Sequence, residues 1–225
     1  MTKTKNYKKL KHKESKLVVM SRIDFEIAKN VYERSIQIGL NDEEVSFLLG
    51  KRNKYFFDLL NPTEKAKFKT EQLDILPTIL ETSIKDIVPT NIKAGEEIKL
   101  KASKTQYAHK IRYEFTVLNA DNETPHATVW EKKIRKGKIR QLHVDLHECL
   151  LLSITQGYFK VPRNALAIYL HIKANLEQPF SPADLQKSLS VLTSAKGKGR
   201  LLKREIVQAK YVYMENSEVQ SKTAQ

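Results

Sequence analysis

Cysteine is nearly absent: Cys149 stands alone in 225 residues. No disulfide can close within the chain, which fits a reducing compartment. Glycine is scarce, with seven in all. None of the glycine-bearing patterns that cradle phosphates or present a nucleophile occurs. No apolar run approaches the ~20 residues that span a bilayer. The lysine-rich N-terminus lacks the apolar stretch of a signal peptide. These absences lead us to expect a cytoplasmic protein with no membrane partner.

Positive charge is what abounds. Forty Lys and Arg oppose 26 Asp and Glu, for a net charge of +14. Such a surface attracts polyanions, nucleic acid first among them. Hydrophobic residues make up 40% of the chain, enough for modest cores in one or two domains.

Residues 1–20 read as a flexible basic arm, with Lys3, Lys5, Lys8, Lys9, Lys11, Lys13 and Lys16 opposed only by Glu14. Apolar residues then recur at helical spacing from Asp24 to Ile38, and Gly39 ends that helix. Asn41 suits an N-cap, Asp42, Glu43 and Glu44 suit the positive end of a helix, and Gly50 permits a tight turn after it. A further helix is expected from Arg52 or Asn53 to Leu60, burying Tyr55, Phe56 and Leu59. Two more follow, from Thr70 to Leu80 and from Ser83 to Ile87. That makes a five-helix domain over 21–89.

Residues 90–104 read as a linker. The period changes to two at Ile111, Tyr113, Phe115 and Val117, so 105–140 should hold a β-hairpin. Trp130, Tyr113 and Phe115 are core candidates. Residues 141–215 read as three helices and a second hairpin, Leu201–Val207 with Tyr211–Met214. Ser181-Pro182 marks the start of the third helix. Residues 216–225 read as a disordered tail. The expected fold class is mainly α with some β.

Leu40–Leu60 resembles the helix-turn-helix of the XRE/Cro-type repressor family. Leu40, Glu43, Glu44, Leu48, Leu49, Gly50 and Tyr55 match the family pattern identically, and Val45, Phe56 and Leu59 match as apolar residues. The resemblance covers roughly 24–89. Departures are Asp42, Ser46, Lys51, Arg52 and the pair Phe57-Asp58. It implies that the helix at about 52–60 enters the major groove. Arg52, Asn53, Lys54, Phe57 and Asp58 would then face bases, with Lys51 on phosphate. The helix, helix, helix, hairpin order of the C-terminal part resembles a winged-helix domain. Its recognition helix would be Ser181–Ala195, with polar positions Ser181, Asp184, Gln186, Lys187, Ser188 and Ser190. Its basic wing would carry Lys196, Lys198, Arg200, Lys203, Arg204 and Lys210.

His143 and His147 lie four apart and share a helix face. A zinc site needs three or four ligands, and Val144 stands where a zincin has glutamate. Cys149 beside Leu150 and Leu151 reads as a small core residue. No acid, base and nucleophile converge in the pattern, so neither an enzyme nor a cofactor is expected. The expected function is sequence-specific binding of double-stranded DNA by a transcriptional regulator, possible as a homodimer. The alternatives are a weakly specific nucleoid or RNA binder and an antitoxin-like interaction module.

Overall fold

The computed structural model describes residues 10–61, 64, 67–118, 127–133, 140–194 and 200–216. The chain begins there with β1 (Leu10–Ser21), α1 (Arg22–Gln37), α2 (Asp42–Leu48), α3 (Tyr55–Leu59), α4 (Thr70–Leu73), α5 (Leu76–Leu80) and α6 (Ile84–Ile87). Strands β2 (Glu97–Tyr107), β3 (Lys110–Val117) and β4 (Ala127–Lys133) follow. The rest is α7 (Val144–Thr155), β5 (Arg163–Asn164), α8 (Ala165–Asn175), α9 (Pro182–Leu192), β6 (Leu202–Val207) and β7 (Lys210–Glu215). Both α and β structure are thus present, as expected. Two compact units divide these elements. Unit 1 takes Met1–Leu40 and Phe56–Lys138, and unit 2 takes Asn41–Tyr55 and Ile139–Gln225.

Unit 1 is built on an antiparallel sheet of order β1-β2-β3-β4. Val18 pairs with Leu100, Ala102 with Phe115, and Tyr113 with Trp130. Period-two alternation puts Leu100, Ala102, Tyr113, Phe115 and Trp130 on one buried face. Helix α1 supplies Phe25, Ala28 and Val31 to the core. Trp130 is its aromatic centre, 4.5 Å from Phe115, 6.1 Å from Phe25 and 5.5 Å from Tyr32 between ring centroids. The Tyr32 hydroxyl accepts a hydrogen bond from the Glu131 backbone N–H at 3.0 Å. Trp130, Tyr113 and Phe115 are therefore core residues, as expected.

Three expectations for this part are corrected. The basic arm stops short of residue 20, because Leu10–Ser21 is the edge strand of the sheet. Exposed lysines such as Lys13 and Lys16 suit an edge, where charge discourages pairing with another chain. Residues 1–9 lie outside the described residues. The linker expected over 90–104 ends early, since Glu97 begins β2 and pairs with Ser21. The single helix expected from Thr70 to Leu80 is two, α4 and α5. Pro77 sits in the first turn of α5, where its missing N–H leaves no bond unmade.

Unit 2 combines α7, α8 and α9 with a small sheet of order β5-β7-β6. Each of its longer helices begins on a side-chain cap. His143 Nδ1 accepts from the Leu146 N–H, Asn164 Oδ1 from Ala167, and Ser181 Oγ from Asp184. Leu146, Leu150, Ile168, Ile172, Leu185 and Leu189 are fully buried. Helix α2 joins this core, packing on α8 and α9 with Val45, Leu48 and Leu49 buried. Asn41 caps it, accepting from Glu43 and Glu44 N–H groups at 3.0 and 3.1 Å. The Glu44 carboxylate accepts from the Asn41 N–H in return, at 3.0 Å.

The two helices of the resemblance thus part company. Helix α2 lies in unit 2, whereas Phe56–Leu59 of α3 lies in unit 1. None of the described helices is long and apolar enough to cross a membrane.

Candidate nucleic-acid interface

Helix α9 buries Leu185, Ser188, Leu189 and Leu192. The 3.6-residue period then turns Ala183, Gln186, Lys187 and Ser190 to the opposite side. These residues form one wall of a cleft of about 530 Å³. The facing wall comes from the hairpin and the chain entering it, with Arg200, Arg204 and Tyr213. Among the described residues no carboxylate lines this cleft.

The cationic side chains are held, each in its own way. Arg204 lies over the Tyr211 ring, 4.6 Å from its centroid. Arg200 Nε donates to the Thr193 carbonyl at 3.0 Å. Arg140, at the rim, donates to Ser181 Oγ and Asp184 Oδ1 at 2.8 Å each. Burial alone would raise the Asp184 carboxyl, but hydrogen bonds from Ser181 and the Arg140 charge outweigh it and hold the pKa low. Burial pushes the Tyr213 phenol up, against the opposing pull of Arg204.

A second, smaller cleft of about 340 Å³ lies where the loop after α2 meets the hairpin tip. Gly50, Lys51, Arg52 and Tyr55 line one side, with Ile206, Ala209 and Tyr211 on the other. The Lys51 ammonium donates to the Ala209 carbonyl and sits 5.5 Å from the Tyr55 ring centroid. The Tyr211 N–H donates to the Gly50 carbonyl at 2.8 Å. Farther along this loop, Asn53 Oδ1 accepts from Gln186 Nε2 at 3.0 Å.

The residues expected to touch DNA fare differently. Arg52, Asn53 and Lys54 are exposed in the loop before α3. Lys187, Arg200 and Arg204 come together in the larger cleft. Lys203 does not line it and pairs with Glu205 at 2.8 Å. Lys196 and Lys198 lie outside the described residues.

Phe57 does not face outward. It is 5% exposed and stacks on Tyr113 at 4.9 Å, with Lys132 over its ring. A five-residue helix with three aromatics in a row buries more than one face. Asp58, beside it, is half-buried. Three polar positions of the expected recognition helix also leave the outward face. Ser181 and Asp184 cap α9, and Ser188 is fully buried.

Arg140, Thr193 and Tyr213 were not among the expected contacts. The signal for Tyr213 is three-dimensional: it meets the α9 residues only across the cleft that the folded hairpin forms with them. His143 and His147 bring no third ligand with them, and no group of three His, Cys, Asp or Glu side chains converges among the described residues. Cys149 is half-buried, and burial pushes its thiol pKa up.

No protein-family model and no curated protein matches the chain. Among solved structures it is similar to hydroxypropylphosphonic acid epoxidase from S. wedmorenis in complex with fosfomycin. Identity there is 12% and the TM-score 0.28, over 51% of this chain and 87% of that one. Fe(II) HppE in complex with substrate gives 14% and 0.27, over 50% and 86%. Likeness this low carries no argument about architecture or activity.

Proposed function

We propose that the chain is a DNA-binding regulator that holds duplex DNA on unit 2. Helix α9 would enter the major groove, and the β6–β7 hairpin would follow the phosphate backbone as a wing. The observation that carries this reading is the cleft between α9 and the hairpin, cationic on both walls through Lys187, Arg200 and Arg204. Three features favour a polyanion that is long rather than compact. The cleft is continuous with the exposed basic loop at Arg52 and Lys54 through the Asn53–Gln186 contact. An α-helix flanked by a hairpin has the width to fit the major groove and reach a neighbouring phosphate row. The net charge of +14 supplies long-range attraction.

Lys187→Ala and Arg200→Ala test this reading by fluorescence anisotropy on a duplex, titrated with salt. Each phosphate contact removed lowers the slope of log affinity against log salt by about 0.9. Slopes equal to the parent protein's in both variants would remove the cleft from the interface. Competition with excess random duplex then separates a sequence-specific regulator, which keeps its site, from binding by charge alone. If two copies bind together, half-sites about one helical turn apart are expected.

A further inference from the structure

Gln186 lies in the middle of the outward row of α9, between Ala183 and Ser190, on the helix wall of the cationic cleft. Around it Lys187, Arg200 and Arg204 suit phosphate or guanine, and Ala183 has no polar atom to offer. A primary amide differs from them, because it presents a donor and an acceptor side by side. That pair matches N7 and the N6 amino group of adenine on the major-groove edge, and no other base offers the same pattern there.

An amide on three rotatable carbon–carbon bonds normally has to be ordered when it binds, at a cost in entropy. Here one N–H of Gln186 is already engaged, donating to Asn53 Oδ1 at 3.0 Å. That bond restrains the amide and leaves one N–H and the carbonyl oxygen for a ligand. Asn53 is itself placed by the loop that leaves α2, whose Gly50 carbonyl is tied to the Tyr211 N–H of the hairpin. The two amides therefore come from separate stretches of chain and meet on one surface.

We infer that Gln186 reads an adenine in the major groove and that Asn53 is the positioning residue that presents its amide. This rests on the proposed binding of duplex DNA by unit 2 and adds the base it selects and the residue that selects it.

The experiment is selection of duplexes from a randomised pool by the full-length protein, followed by the same selection with three variants. The parent protein should enrich a motif with at least one adenine. Gln186→Ala should lose the preference at that one position, by about ten- to a hundredfold in affinity ratio, with the rest of the motif retained. Gln186→Glu should turn the preference toward cytosine, whose amino group a carboxylate accepts from. Asn53→Ala should weaken the same preference without changing which base is preferred. Circular dichroism checks that all three variants fold. A motif unchanged by Gln186→Ala overturns the inference, as does duplex binding by the parent protein with no enriched motif. Both results leave the DNA-binding reading of unit 2 to its own test, the salt slopes of Lys187→Ala and Arg200→Ala. Failure of the parent protein to bind any duplex at low salt overturns the DNA-binding reading and this inference with it.

Discussion

His171 and His147 show how single side chains tie the stability of unit 2 to pH. The His171 ring stacks on Tyr158 at 3.8 Å and nearly parallel, with Ser153 Oγ 3.2 Å from Nε2. Burial, aided by the Arg163 charge, holds its pKa below the usual imidazole value. Burial does the same to His147, whose Nδ1 is enclosed with no hydrogen-bond partner among the described residues. In the unfolded chain both rings take a proton near pH ~6.5. Below that pH the unfolded state gains protons that the folded state resists, so stability falls as pH drops and levels off below the folded values. Urea midpoints followed by circular dichroism should therefore decrease from pH 7.5 to 5.5. The double variant His147→Leu with His171→Gln should flatten that dependence. A parent protein with no pH dependence in this window would show that the burial is not felt by the titration. Asp184 does not interfere. Its carboxyl pKa is lowered, so its contribution is lost only in acid, as pH falls through the folded value. Phe57 makes a second residue-scale case. As a stacked core side chain it should cost about 3–5 kcal/mol when cut to alanine, measured by denaturant unfolding. A change below 1 kcal/mol, on the order of a surface substitution, would return it to the outside.

The β6–β7 hairpin turns on two residues that rarely do this. Gln208 and Ala209 both have positive φ, 49° and 57°. They connect β6 to β7 as a two-residue turn whose twist matches the strands, a conformation that favours Asn-Gly. Holding a residue with a Cβ in the left-handed region costs roughly 1 kcal/mol. Ala209→Gly should raise the stability of unit 2 by up to that amount, seen as a higher urea midpoint. The Lys51 bond to residue 209 uses a carbonyl and survives the change. An unaltered or lower midpoint would show that the greater freedom of glycine in the unfolded chain outweighs the relief. The reverse holds at Gly50, where φ is +69° and an added Cβ would come within 3.3 Å of Lys210 Cβ. Gly50→Ala should destabilise the contact between the loop and the hairpin.

Much at this scale was legible in the sequence, because helix starts and hairpins are local. Asn41 and Ser181 read as caps and are caps, and the alternation at 111–117 reads as a strand and is β3. Strand β1 was hidden because an edge strand studded with lysine has the composition of a tail. The reading of α3 failed at Phe57 because periodicity finds one buried face, whereas a short aromatic helix buries two. The wall of the cleft formed by Tyr213 depends on how the hairpin meets α9, for which no local pattern exists.

At the scale of the whole molecule, the chain passes between its two units three times, near residues 40, 55 and 138. Unit 2 is therefore discontinuous, with α2 contributed from far upstream. A fragment of residues 139–225 alone would expose the surfaces of α8 and α9 that α2 covers. It should unfold at lower urea than unit 2 in the intact chain, and a peptide of residues 41–55 added in excess should restore part of the difference. A fragment as stable as the parent, indifferent to the peptide, would make α2 a passenger.

That interleaving also sets an order of events while the protein is being made. Val45, Phe47, Leu48 and Leu49 leave the ribosome well before the helices that bury them. Roughly 110 residues separate Tyr55 from the start of α8 at Ala165, and at about 5–20 residues per second their synthesis takes roughly 5–20 seconds. For that interval the apolar face of a short amphipathic helix waits without its partners. The nascent chain should then be a client for chaperones that recognise exposed aliphatic segments, and it should release them only when α8 and α9 have emerged.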